Sequence, residues 1–141
     1  MFTKDMIAPC GANCGICMAF LRTANRCFGC LTHDVSIAKV GRNCRIKMCN
    51  EEKGFEYCYE CNEYPCSLIK HLDKRYRLNY SYSMIDNLNA IKTDGIDKFL
   101  ANCEKNYTCD CGGIICIHRG YCIKCGKIRY INNSNSRKKI I

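Results

Sequence analysis

Apolar residues recur at helical spacing most clearly in the middle of the chain. Met84, Ile85, Leu88 and Ile91, followed by Ile96, Phe99, Leu100 and Cys103, predict two amphipathic helices. Thr93-Asp94-Gly95-Ile96-Asp97 separates them, with Asp94 as the expected N-cap of the second. Ahead of them, Pro65 predicts the start of a helix with Cys66 on its first turn and Leu68, Ile69 and Leu72 on its packed side. Cys44 to Lys53 reads as a short helix ended by Gly54, with Cys44, Met48 and Cys49 on one face. Cys14, Cys17, Met18 and Leu21 predict a further helix capped by Asn13.

Between these segments, thiols stand where a core would otherwise need apolar residues. Ten of the 16 cysteines fall between Cys10 and Cys66. Cys14-x2-Cys17 and Cys27-x2-Cys30 are two C-x2-C pairs, a turn that leaves both thiols on one side and suits two corners of a tetrahedral zinc site. The expected ligands are Cys14, Cys17, Cys27 and Cys30 for one ion, and Cys49, Cys58, Cys61 and Cys66 for another. Cys10 and Cys44 remain, either as additional ligands or as buried inert thiols. Amides at a helix N-terminus would favour the thiolate at Cys14 and Cys17, and Arg42 and Arg45 would favour it at Cys44. His33 is an isolated histidine in a polar loop and is expected not to be a ligand.

A second module spans residues 107–127. Cys122-x2-Cys125-Gly126 is a knuckle, and Cys109-x-Cys111-Gly112 faces it as a pair one residue shorter. That spacing is typical of a zinc ribbon, in which two turns close on one ion. Cys116 and His118 are alternatives to Cys109 or, equally, packing residues. The expected fold is therefore a small metal-stabilised α+β protein, with short helices and knuckle turns, a helical middle and a zinc-ribbon-like hairpin. Residues 1–106 form the cysteine-rich domain, 107–127 the ribbon module, and 128–141 a basic disordered tail.

Composition narrows the chemistry. Cysteine is about 11% of the 141 residues, a level that in a secreted chain would signal disulfides. The first nine residues, however, lack the apolar run of a signal peptide, and no stretch approaches a membrane span. The expectation is a cytoplasmic protein, where thiols stay available to metal. The formal charge of +9 counts thiols as neutral. Each zinc bound by four thiolates carries a net −2, so three such sites would lower the total to about +3. The basic character is then concentrated in the tail. Tyr76, Tyr80 and Tyr82 beside Lys70, Lys74, Arg75 and Arg77 have the interleaving that can stack bases, but packing is the simpler account.

The order Cys-Gly-x2-Cys-x2-Cys from Cys10, Cys-x-Gly-Cys from Cys27, Cys-Arg-Ile-Lys-x-Cys from Cys44, Glu-Lys-Gly-x-Glu-x-Cys-x2-Cys from Glu52 and Tyr-Pro-Cys from Tyr64 resembles a family of small cysteine-rich prokaryotic proteins known as a domain of unknown function. The resemblance runs on through Asn87 to Lys92, Gly95-Ile96 and the Cys111 to Gly126 motifs. It implies a metal-binding, specifically zinc-binding, protein and supplies no reaction. The short Cys109-x-Cys111 pair departs from the family pattern and leaves the ribbon ligands open.

Cys10-x3-Cys14-x2-Cys17 also has the spacing with which radical enzymes hold a four-iron cluster, yet 141 residues without alternating strands and helices cannot supply their barrel. Ferredoxin cysteine runs are absent. No Ser/His/Asp set, phosphate-binding glycine loop or close carboxylate pair is present. The sequence thus favours a zinc-scaffolded binding protein carrying two to three ions, with a protein or nucleic acid as partner and no membrane role. An iron–sulfur or thiol redox protein, or an enzyme with an open metal position, is the alternative.

Overall fold

The structure, a computed structural model, describes residues 1–31 and 44–129. His33, Arg42 and most of the basic tail lie outside the described residues. Among the described residues, five α-helices carry the fold: α1 (Met18–Leu21), α2 (Arg45–Lys53), α3 (Ser67–Tyr80), α4 (Met84–Asp94) and α5 (Ile96–Tyr107). Single 3-10 turns occupy Lys4–Met6, Cys14–Ile16 and Cys58–Glu60. Helix α2 packs on α3, α3 on α4 and α4 on α5. None of the described helices is long and apolar enough to cross a membrane.

The two central helices follow their periodicity. Met84, Leu88 and Ile91 of α4 and Phe99 and Cys103 of α5 are buried, with Ile85, Ile96 and Leu100 packed against them. Helix α3 buries Ile69 completely, flanked by Leu68 and Leu72. Burying such side chains stabilises by roughly 1.5–3 kcal/mol each, the main force joining these helices. Gly54 ends α2 at φ 71°, in the left-handed conformation expected of it.

Four expectations are corrected. Asn13 does cap, its side chain accepting from the Gly15 amide at 2.8 Å, but it opens a single 3-10 turn. The Ile16 carbonyl is taken by the Ile117 amide at 2.9 Å, and the chain is extended at Cys17 before α1 begins. Asp94 is the last residue of α4, and Gly95 caps α5 at φ 89° and ψ 162°, a conformation essentially restricted to glycine. Cys66 is the extended N-cap of α3, so Pro65, which follows a cis bond, stands outside the helix. On α2 the buried face is Ile46, Lys47 and Asn50, while Met48 is exposed.

The strand content is also lower than expected. Among the described residues the pairing consists of isolated antiparallel bridges, Ile7 with Asn13, Thr108 with Ile114, Ile115 with Cys122 and Tyr121 with Ile128, and the ribbon hairpin is not formed as a ladder. Gly112, Gly120 and Gly126 all have positive φ, and turns this closely spaced leave no segment long enough for a continuous ladder.

Candidate metal centre

The C-terminal segment folds back in these turns so that four thiols converge. The Cys109 amide donates to the Gly113 carbonyl and the Gly112 amide to the Cys109 carbonyl, each at 2.8 Å, closing the first knuckle. The second is closed by the Gly126 amide on the Cys122 carbonyl at 2.8 Å and the Cys122 amide on the Lys127 carbonyl at 3.0 Å. An Ile123 amide bond to the Ile114 carbonyl, 3.0 Å, holds the two together.

The sulfurs of Cys109, Cys111, Cys122 and Cys125 all lie within 4.8 Å of one another. Cys109 Sγ is 3.6 Å from Cys125 Sγ, and Cys111 Sγ is 3.5 Å from Cys122 Sγ. A tetrahedral ion bound to sulfur at ~2.3 Å sets its ligands about 3.8 Å apart, so the four thiols are close to the separation that one ion requires. Cys109 and Cys122 are buried, whereas Cys111 and Cys125 face solvent.

The local electrostatics already favour charge on one sulfur. Burial pushes the Cys122 thiol up, but amides of Cys125 and Lys124 and the thiols of Cys111 and Cys125 stabilise its thiolate and bring it down to about 6. Cys111 retains its proton: the Gly113 amide favours its thiolate, yet burial and the other three sulfurs raise it to about 11. A bound cation would displace the remaining protons.

Cys116 and His118 lie elsewhere. Cys116 is buried. His118 Nδ1 accepts from the Met18 amide at 3.2 Å, and its Nε2 lies 3.0 Å from the Tyr76 hydroxyl. Its ring meets Tyr76 and Tyr80 edge-on, which makes these tyrosines packing residues.

The N-terminal thiols are gathered differently. All 16 cysteines are free, and Cys10, Cys14, Cys30, Cys44, Cys58 and Cys66 belong to one core together with Ile7, Ile16 and Ile46. Among the described residues, no three of the sulfurs of Cys14, Cys17, Cys27 and Cys30, or of Cys49, Cys58, Cys61 and Cys66, come within 4.8 Å of one another. Burial pushes Cys17 up despite the Ala19 and Phe20 amides, so the helix N-terminus does not produce a thiolate there. Burial likewise raises Cys58 to about 11, against a hydrogen bond from Asn50. The α2 residues near these sulfurs, Lys47, Asn50 and Lys53, were not among the candidates. Their spacing of three along a helix was the signal that could have found them.

Neither the curated proteins nor the solved structures contain a match to this chain. A family model does match, over residues 6–71, and stops short of the Asn87 and Cys111 motifs that extended the resemblance. That model, described as "Protein of unknown function (DUF3795)", takes in all ten N-terminal cysteines.

Proposed function

We propose that the protein is a zinc-scaffolded binding protein in which Cys109, Cys111, Cys122 and Cys125 hold one structural zinc ion. The observation that carries this reading is the closure of four sulfurs to within 4.8 Å, with both cross-knuckle pairs near the tetrahedral edge. Four thiolates fill the coordination of zinc and leave no position for substrate, which favours scaffolding over catalysis at this ion. The ion fixes turns that have little apolar packing of their own, and these carry exposed Ile123 and Ile128 beside Lys124 and Lys127. That surface is the part offered to a protein or nucleic-acid partner.

Metal analysis of the purified chain tests the reading, together with cobalt substitution. About one zinc per chain should depend on Cys122, and cobalt should give the absorption of a tetrahedral tetrathiolate. Structural zinc is worth on the order of 10–16 kcal/mol in small peptides, comparable to or above the ~5–15 kcal/mol of a whole domain. Chelation should therefore disorder residues 107–127. A cooperative melt unchanged by full metal removal would refute the proposal.

A further inference from the structure

The chain leaves α1 through a loop that the Cys27 amide closes by donating to the Ala19 carbonyl at 2.8 Å. Two arginines are fixed to this loop by its own backbone. Arg22 Nε donates to the Asn25 carbonyl at 3.0 Å, with Asn25 at φ 51°, and Arg26 Nε donates to the Phe20 carbonyl at 2.8 Å. Both bonds use Nε, which leaves the terminal guanidinium nitrogens, the fork that grips phosphate in pairs, without a partner among the described residues. Neither arginine meets a carboxylate there, and the sequence has no acidic residue between Asp5 and Asp34.

Phe20, Leu21, Arg22, Thr23 and Arg26 line a hollow of about 330 Å³, within the ~300–1,000 Å³ range of small-ligand sites. Aromatic surface stands beside it. The Arg26 guanidinium lies 4.7 Å from the centre of the Phe20 ring and 5.3 Å from that of Phe28, joining the two rings. Phe28 is nonetheless 55% exposed, which leaves its ring open to a further flat partner. A phosphate wants a guanidinium fork and an unpaired base wants an aromatic face, and this loop presents both. Because the Nε bonds already hold the arginines, little further ordering opposes binding. A phosphorylated peptide would use the arginines and leave Phe28 idle, and a duplex keeps its bases stacked on one another.

We propose that this loop binds single-stranded nucleic acid, with the hollow receiving the backbone, Arg22 and Arg26 each holding a phosphate, and Phe28 stacking on an adjoining base. The site shares no residue with the metal centre or with the Ile123 and Lys124 surface, and it does not depend on the zinc reading.

The test is fluorescence anisotropy of the full chain with a labelled oligothymidylate, titrated at several salt concentrations. Arg22→Ala and Arg26→Ala should each weaken binding and flatten the plot of log affinity against log salt by about 0.7, the loss of one phosphate contact on a single strand. Phe28→Ala should lose about tenfold in affinity with that slope unchanged, and Phe28→Tyr should keep the affinity, which marks a lost stack rather than a lost charge. All three side chains are exposed, so the variants should melt as the natural chain does. Absence of binding at low salt would overturn the proposal, as would duplex DNA bound as tightly as the single strand. Affinity that none of the three alanine variants alters would place binding on other basic residues and overturn it too. A phosphoserine peptide that needs Arg22 and Arg26, together with an oligothymidylate affinity indifferent to Phe28→Ala, would assign the loop to a protein partner instead.

Discussion

The imidazole of His118 bridges the two ends of the protein, accepting from the Met18 amide at 3.2 Å while its other nitrogen meets the Tyr76 hydroxyl at 3.0 Å. To accept, Nδ1 must be unprotonated, so the network assigns a neutral ring with its hydrogen on Nε2. Burial holds its pKa below the ordinary value near 6.5. The sign follows from linkage. Below about 6.5 the unfolded chain takes up a proton that the folded chain resists, so this contribution is complete above that pH and is lost as pH falls toward the depressed folded value. Thiolate protonation adds its own acid loss. His118→Gln should therefore melt with a shallower decline than the natural chain between pH 7 and pH 5, as followed by circular dichroism.

Asp73 joins α3 to the start of α4. Its carboxylate is buried, accepts from the Ser83 hydroxyl at 2.6 Å and the Ile85 amide at 3.0 Å, and meets Arg77 at 2.8 Å. Asp73→Ala leaves buried donors without an acceptor, at about 1–3 kcal/mol per group. Asp73→Asn keeps one acceptor oxygen and should lose less. Urea unfolding should rank the natural chain above Asn and Asn above Ala. Arg77→Ala should change little, because that side chain is largely exposed.

Gly11 lets the N-terminal loop touch α4. At φ 89° it lies so close that an added Cβ would be 2.9 Å from both Leu88 Cγ and the Met84 carbonyl oxygen. Its own carbonyl accepts from Asn87 Nδ2 at 3.0 Å. Gly11→Ala should cost roughly 1–3 kcal/mol through strain and overpacking, read as a lower denaturant midpoint with an unchanged m-value.

These cases show which links the sequence made legible. Helices α4 and α5 were readable because Met84, Leu88, Ile91, Phe99 and Cys103 repeat at the helical period, and that period alone decides which side faces the core. The convergence of Cys109, Cys111, Cys122 and Cys125 was readable because the two knuckles are local and glycine-closed. Asp73 was not, since its partners Ser83 and Ile85 lie beyond the end of its own helix and a charged residue ordinarily reads as solvent-facing. The buried side of α2 was misread for a related reason. Lys47 and Asn50 are polar, and their partners make burial acceptable: Asn50 Nδ2 donates to the Ile46 carbonyl and to Cys58 Sγ, and Lys47 pairs with Glu51.

The closest backbone approach at the metal centre is made by Gly113. A Cβ there would stand 2.6 Å from Cys122 Sγ, 2.6 Å from Lys124 Cβ and 3.3 Å from Cys111 Sγ, and its amide donates to Cys111 Sγ at 3.4 Å. Neither neighbour can yield cheaply. Cys122 is buried and held by the Lys127 and Cys125 backbone, and Lys124 Cβ lies at the root of its side chain. Gly113→Ala must therefore push the two knuckles apart, which widens the 3.5 Å Cys111 to Cys122 separation beyond the ~3.8 Å that one tetrahedral ion would accept. Altering groups that orient ligands typically costs 10–100-fold in metal affinity. Competition with a chromophoric chelator should show a loss of at least that order for Gly113→Ala. Gly95→Ala, at a positive φ between α4 and α5 where an added Cβ would meet nothing within 4 Å, should lower stability and leave zinc affinity nearly unchanged. Equal affinities for Gly113→Ala and the natural chain would mean that the knuckles are free to adjust, and that the observed closure does not depend on this contact.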